Sequence, residues 1–150
     1  MKRKYKVIQW ATGTTGNASL KSIIRNPRLE LAGVKVYSEE KNGLDAGDLI
    51  DGKPTNVICT QDSEEIIRLD ADCVIYSPMP WNINEMCSIL ESGKHIVTPC
   101  PYWFPFTQDK ESAQRLNEAC EKGKANMHAS GINPGGIAEM LPLTLTGLCN

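Results

Sequence analysis

The sequence predicts an α/β domain, a doubly wound parallel sheet with helices on both faces. Two observations carry that prediction. Short apolar runs alternate with segments of helical period along the chain, as strands joined by crossover helices do. The first apolar run ends in small residues and glycine and leads straight into an amphipathic segment. Right-handed crossovers then place helices on both sides of the sheet.

The first strand covers residues 5–11, behind a basic lead-in of lysine and arginine. A helix follows over 17–26, with Leu20, Ile23 and Ile24 on one stripe and Pro27 as its stop. Residues 29–37 are nearly continuously apolar, the pattern of a strand covered on both faces. The stretch 38–56 carries turn signals at Asn42-Gly43, Gly47 and Gly52. A short strand is expected at 57–59. Asp62 with Glu65 resembles a capping box opening a brief helix to Leu69. A strand at 72–76 precedes a helix marked by Ile83, Met86, Cys87 and Leu90, which Gly93 closes as a left-handed cap. Residues 95–98 form the next strand. A helix over 108–122 has Ala113, Leu116, Ala119 and Cys120 on one face and is closed by Gly123. A last strand spans 125–129, and 137–148 is expected to be helical in part. Ligands in such sheets bind beyond the carboxyl ends of the strands. That directs attention to residues 11–17, 37–41, 77–80, 98–103 and 130–135.

Composition narrows the partners. Sixteen basic against eighteen acidic residues leave a net charge of −2, so no nucleic-acid partner is expected. No apolar run approaches the length of a membrane span, so no membrane partner is expected. The six cysteines lack paired C-x-x-C spacing, and there are only two histidines, His95 and His128. They are therefore read as reduced thiols packed as small apolar groups in a cytoplasmic protein, with no metal site.

The strongest local signal is Ala11-Thr12-Gly13-Thr14-Thr15-Gly16-Asn17. It is the G-x-G-x-x-G dinucleotide fingerprint with alanine in the first place. Gly13 lets the backbone approach a pyrophosphate, and Gly16 lets the helix pack close to the sheet. The helix N-terminus offers N–H groups and partial positive charge to phosphate. Thr12, Thr14 and Thr15 complete this phosphate turn. Ser38, with Lys41 three residues on, suits a ribose 2′-phosphate and hence NADP; Glu39 and Glu40 favour NAD if either turns inward. NADP is the expected cofactor, with NAD as the alternative.

Several segments together resemble a known family. They are Lys6-Val-Ile-Gln-Trp-Ala-Thr-Gly13, Asp70-Ala-Asp-Cys-Val-Ile-Tyr-Ser77, Gly93-Lys-His-Ile-Val97, Ser130-Gly-Ile-Asn-Pro-Gly135 and Leu141-Pro-Leu-Thr-Leu-Thr-Gly147. The chain is similar along nearly its whole length to the dihydrodipicolinate reductase-like oxidoreductases, closest to the branch of 2,4-diaminopentanoate dehydrogenase and the native amine dehydrogenases. The resemblance implies a Rossmann-like domain binding NADPH or NADH, followed by a C-terminal α+β domain with substrate and oligomer contacts. It implies a dinucleotide-binding domain over 1–136, with 137–150 the start of a connection to a second domain absent from this chain. Three departures stand out. The histidine- and lysine-rich catalytic segment of true dihydrodipicolinate reductases has no match here. No acid lies between Cys100 and Asp109, where the amine dehydrogenases place a glutamate. Ala11 stands for the first glycine.

The nicotinamide ring is expected over Ser77, Pro78 and Met79, over Thr98, Pro99 and Cys100, and near Asn133. Tyr102, Trp103, Phe104 and Phe106 read as a pocket wall or domain interface. No catalytic residue is assigned: His95 and His128 read as structural, and Cys100 has no base spaced beside it. The function expected is the NAD(P)-binding half of an oxidoreductase. It moves hydride between a nicotinamide and a C=N or C=O group of a small-molecule substrate, in a full-length homo-oligomer, and this chain alone is expected to be inactive. The alternative is a stand-alone dinucleotide-binding or sensing module. A methyltransferase fits less well, because its second strand ends in an acid and this one reaches Ser38.

Overall fold

A computed structural model describes residues 3–99, 109–131 and 135–148. The sheet has six parallel strands in the order β3-β2-β1-β4-β5-β6. They are β1 (Tyr5–Trp10), β2 (Leu29–Lys35), β3 (Cys59–Thr60), β4 (Cys73–Tyr76), β5 (His95–Thr98) and β6 (Met127–Ala129). The helices are α1 (Thr14–Arg25), α2 (Ser63–Arg68), α3 (Ile83–Glu91), α4 (Lys110–Gly123) and α5 (Leu141–Thr146), the last preceded by a π-type turn over Gly136–Met140. The predicted doubly wound parallel sheet is therefore the observed one. Its strand order reverses between β1 and β4, which opens a crevice at their carboxyl ends.

The two faces are unequally covered. Ile8 and Trp10 of β1, Val74 and Tyr76 of β4 and Ile96 of β5 pack against Ile66, Met86, Ile89, Leu90 and Leu116 of α2, α3 and α4. The opposite face holds a smaller core, in which Val34 and Val36 meet Leu20 of α1, Ala46 and Cys59. This follows from the topology. The chain moves one way from β1 to β2 and the other way from β4 to β6, so right-handed crossovers put α1 on one face and α3 and α4 on the other.

Several boundaries differ from the sequence reading. Helix α1 begins at Thr14 rather than Asn17, because Gly13 is its N-cap and its carbonyl accepts the Asn17 N–H at 2.8 Å. The glycine turn is thus the first turn of the helix. Strand β3 starts at Cys59 rather than residue 57, because residues 57 and 58 pair with the preceding excursion instead: Ala46 N–H donates to the Val57 carbonyl at 2.9 Å, and Asp45 bridges Ile58. Asp45 clamps that excursion by accepting from Gly47, Thr55 and Asn56 N–H groups. These bonds hold its carboxyl below the usual range, the Thr55 N–H foremost. Asp62 caps α2 as expected, accepting from Glu64 and Glu65 N–H groups. The reciprocal half of the box is not formed, because Thr60 Oγ1 accepts the Asp62 N–H and donates to Glu65. Gly93 is left-handed at φ 86°, as predicted. Gly123 is instead the last residue of α4, with Lys124 in the left-handed position. Glycine is required at 123 for another reason: a Cβ there would lie 1.8 Å from the Leu90 carbonyl oxygen of α3.

Cys59, Cys73, Cys87 and Cys120 are free thiols. Burial pushes Cys59 up to about 11 and raises the other three, so they are poor nucleophiles. His95 Nδ1 accepts the Asn126 N–H at 3.0 Å, a tie between β5 and the start of β6 that fits its structural reading. Residues 137–148 carry a row of exposed apolar side chains: Ile137, Met140, Leu141, Leu143, Leu145 and Leu148. Among the described residues no helix is long and apolar enough to cross a membrane.

Candidate functional site

A cavity of about 780 Å³ opens at the carboxyl ends of β1, β2 and β4. Its lining begins with the glycine turn, Ala11 to Thr15, and continues through Tyr37, Ser38 and Lys41 after β2. The segment from Ser77 to Ile83, with Glu85, closes the third side.

The turn is built to leave its N–H groups free. Gly13 caps α1 with φ −73° and ψ −167°, no side chain caps the helix, and its first turn holds no acid. Helix N–H groups without a cap seek an external acceptor, and the helix field favours an anion there. A Cβ at Gly13 would meet nothing within 4 Å, so the backbone borders open space. Gly16 is the reverse case: a Cβ would lie 2.2 Å from the Ala11 carbonyl oxygen. That closeness holds the helix against the end of β1.

Ala11 occupies the first glycine place at φ 74°, where a methyl group is strained. Its N–H donates to the Lys35 carbonyl at 2.9 Å, and its carbonyl accepts from the buried Gln9 Nε2 at 2.8 Å. The turn is held in this shape by its neighbours. Replacing Ala11 by glycine should stabilise the domain by about 0.5–1 kcal/mol, the relief of the left-handed penalty less the greater entropy loss of glycine. Urea unfolding measures this, and a lower midpoint for Ala11→Gly would contradict it.

Ser38 and Lys41 both face the cavity, whereas Glu39 and Glu40 are exposed and take no part in its lining. Lys41 Nζ reaches across to the glycine turn, donating to the Thr12 carbonyl at 2.8 Å and lying 3.3 Å from Thr12 Oγ1. A cation is thereby placed beside the open helix end. Ser77 has a structural duty as well: its hydroxyl donates to the Trp10 carbonyl at 3.1 Å and accepts from Gln9 Nε2 at 2.9 Å. Pro78 and Met79 line the same wall, with a cis peptide between Met79 and Pro80. Thr98 is fully buried at the end of β5, and neither it nor Pro99 contributes to the lining. Cys100, Asn133 and the aromatic group at 102–106 lie outside the described residues.

The structure adds a polar network that sequence reasoning missed. Tyr37 Oη accepts from Trp10 Nε1 at 3.0 Å and donates to Glu85 Oε2 at 2.7 Å. Tyr76 Oη donates to the same oxygen at 2.9 Å and accepts the Asn82 N–H at 2.9 Å. Burial, then the contact with Glu85, raises the Tyr37 hydroxyl above its ordinary value, and burial foremost raises Tyr76, so both remain donors. Lys35 is buried with Nζ 4.3 Å from the Tyr37 ring centroid and donates to the Val36 carbonyl at 2.8 Å. Burial lowers its pKa, against the opposing pull of Glu85 and Asp62. The sequence signal for Glu85 was its place in the first turn of the helix after β4, at the ligand end of the sheet.

No protein-family model matches the chain. It is 26% identical over 151 residues to an amine dehydrogenase of Streptomyces virginiae, covering 94% of this chain and 41% of that protein. It is 21% identical over 159 residues to 2,4-diaminopentanoate dehydrogenase of Acetoanaerobium sticklandii, covering 97% of this chain and 43% of that protein. The fold matches the solved amine dehydrogenase of Mycobacterium smegmatis with a TM-score of 0.85 at 16% identity, over 97% of this chain and 44% of that one. The chain thus spans about two-fifths of the length of the curated relatives it matches. The resemblance read from the sequence, to the amine dehydrogenase and 2,4-diaminopentanoate dehydrogenase branch, agrees with these relatives.

Proposed function

We propose that this chain is the NAD(P)-binding half of an oxidoreductase acting on a C=N or C=O group of a small molecule, of the amine dehydrogenase or imine and ketone reductase type. One observation carries the reading: the uncapped first turn of α1 and the unobstructed Gly13 open together onto the 780 Å³ cavity at the strand-order reversal. The residues fit the group. Gly13, Thr14 and Thr15 hold the pyrophosphate, Thr12 and Lys41 flank it, and Ser77, Pro78 and Met79 form a ledge toward the nicotinamide. A bound nicotinamide supplies hydride transfer, and the chain's own part is to bind, orient and exclude water. The similarity to two dehydrogenases supports the reaction class. Residues 137–150 lead toward a second domain, a reading supported by the exposed apolar row there. The full protein is a cytoplasmic homo-oligomer with no nucleic-acid or membrane partner.

NADP is the favoured cofactor, because Ser38 and Lys41 face the cavity while both neighbouring glutamates do not. The Lys41 ammonium and the Ser38 hydroxyl suit a 2′-phosphate at the ribose. Ser38→Asp should turn preference toward NADH by roughly ten- to a hundredfold, the scale of one charge-assisted hydrogen bond lost. Calorimetry with NADPH and NADH tests this. Tighter binding of NADH by the unmodified chain would refute the choice of NADP, and no binding of either would refute the cofactor reading.

A further inference from the structure

We propose that Lys41 is a positioning residue of the glycine turn: its bond to the Thr12 carbonyl fixes the peptide that leads into α1, so that binding of NADH depends on it as well as binding of NADPH. This rests on the cavity being an NAD(P) site. A contact with a 2′-phosphate alone would make Lys41 matter to NADPH only.

The lysine is anchored at both ends. It closes a single helical turn over Glu39–Lys41, and the residues after it are tied to β3 and its end. Gly43 N–H donates to the Cys59 carbonyl at 2.8 Å, and Asn42 Oδ1 accepts the Gln61 N–H at 3.0 Å. From that base the side chain reaches a residue 29 positions earlier, with Nζ 2.8 Å from the Thr12 carbonyl oxygen and 3.3 Å from Thr12 Oγ1. An ammonium carries three donors. Thr12 takes up two, which leaves the third for a 2′-phosphate.

Thr12 requires the bond. The residue is 5% exposed, and among the described residues nothing else donates to its carbonyl. A buried carbonyl without a donor is costly. The peptide unit is planar, so the direction of this carbonyl also sets that of the Gly13 N–H. Without Lys41 the plane is free to turn over, because glycine takes either sign of φ. Gly13 is the N-cap of α1, and its own carbonyl accepts the Asn17 N–H at 2.8 Å. A turned plane therefore disturbs the cap and the free N–H groups that follow it. Lys41 removes that second conformation before a ligand arrives, which lowers the cost of binding.

The test is calorimetry of the unmodified chain, Lys41→Met and Lys41→Arg with NADH, which lacks the 2′-phosphate, and with NADPH. Lys41→Met should weaken NADH by about three- to tenfold, the scale of one hydrogen bond, and NADPH by more. Lys41→Arg keeps a donor and should restore the binding of NADH. The NADH loss in Lys41→Met should persist at about 1 M salt, where charges are screened beyond roughly 3 Å. Unchanged NADH affinity in Lys41→Met, a loss that salt removes, or no rescue by arginine would each overturn the proposal. A further readout needs no variant: the Lys41 ammonium signal in proton–nitrogen NMR spectra should stay protected from exchange when NADH binds. Its loss on binding would mean that the cofactor releases the lysine from Thr12, which also overturns the proposal. The parent reading is separable. A Lys41→Met chain that loses NADPH affinity alone leaves the site standing and removes only the positioning role, while no binding of either dinucleotide by the unmodified chain removes both.

Discussion

Replacing Gly13 by valine should abolish dinucleotide binding and leave the fold standing. The backbone at Gly13 has φ −73°, a value open to any L-residue, and a Cβ there has nothing within 4 Å. Gly13 contributes no side-chain cap to α1, so the helix loses only the N-cap preference for glycine over valine, about 0.5–1 kcal/mol. The isopropyl group fills the open space beside the uncapped first turn of α1, through which, in the proposed site, a pyrophosphate would reach the N–H groups of Thr14 and Thr15. Losing even one charge-assisted contact to that anion weakens binding roughly ten- to a hundredfold, and loss of two takes it beyond detection at ordinary protein concentrations. Calorimetry with NADPH, paired with urea unfolding, checks both halves. Equal affinity in the two proteins would place the cofactor elsewhere, and a collapsed unfolding midpoint would make Gly13 a structural residue.

The place of the glycine turn was legible because small residues at fixed spacing directly follow a strand, and the structure sets them at the start of α1 beside the cavity. Sequence reasoning placed 11–17, 37–41 and 77–80 at the ligand end of the sheet, and each contributes to the cavity. The strand-helix alternation was legible for a similar reason, since buried parallel strands leave nearly continuous apolar runs. The network of Trp10, Tyr37, Tyr76 and Glu85 was not legible. Its hydrogen bonds join residues 27, 48 and 9 positions apart, and no local period links them. The helical pattern of α3 was read from its apolar stripe alone, Ile83, Met86, Cys87 and Leu90, and that reading gave Glu85 no role. The late start assigned to α1 has a related cause. The fingerprint reads as a loop by composition, yet its last three residues before Asn17 already have helical geometry. The strain at Ala11 also lay beyond the sequence, because its left-handed backbone is set by contacts from Lys35 and Gln9.

Gly16→Ala should be the most damaging small substitution at the site, although alanine is the better helix former by about 1 kcal/mol. Gly16 lies in the first turn of α1 and is buried. The added methyl would sit 2.2 Å from the Ala11 carbonyl oxygen and 2.9 Å from its carbon, both backbone atoms, and 3.1 Å from Ser77 Oγ. A flexible side chain can step aside, but this carbonyl cannot move alone. It accepts from Gln9 Nε2, which also donates to Ser77, and Gln9 is fully buried. Shifting Ala11 therefore breaks one of the buried Gln9 amide's hydrogen bonds, and shifting α1 instead pulls Leu20 out of the smaller core. Either response costs about 2–4 kcal/mol after the gain in helix propensity, from overpacking together with a lost buried hydrogen bond. Binding should weaken too, because the N–H groups proposed to hold the phosphate ride on the same turn. The two glycines are then distinguished by one experiment: Gly13→Val loses affinity at a stability cost of no more than about 1 kcal/mol, and Gly16→Ala loses both. A rise in the urea midpoint of Gly16→Ala, as helix propensity alone demands, would show that the helix does not pack on Ala11 as closely as the structure places it.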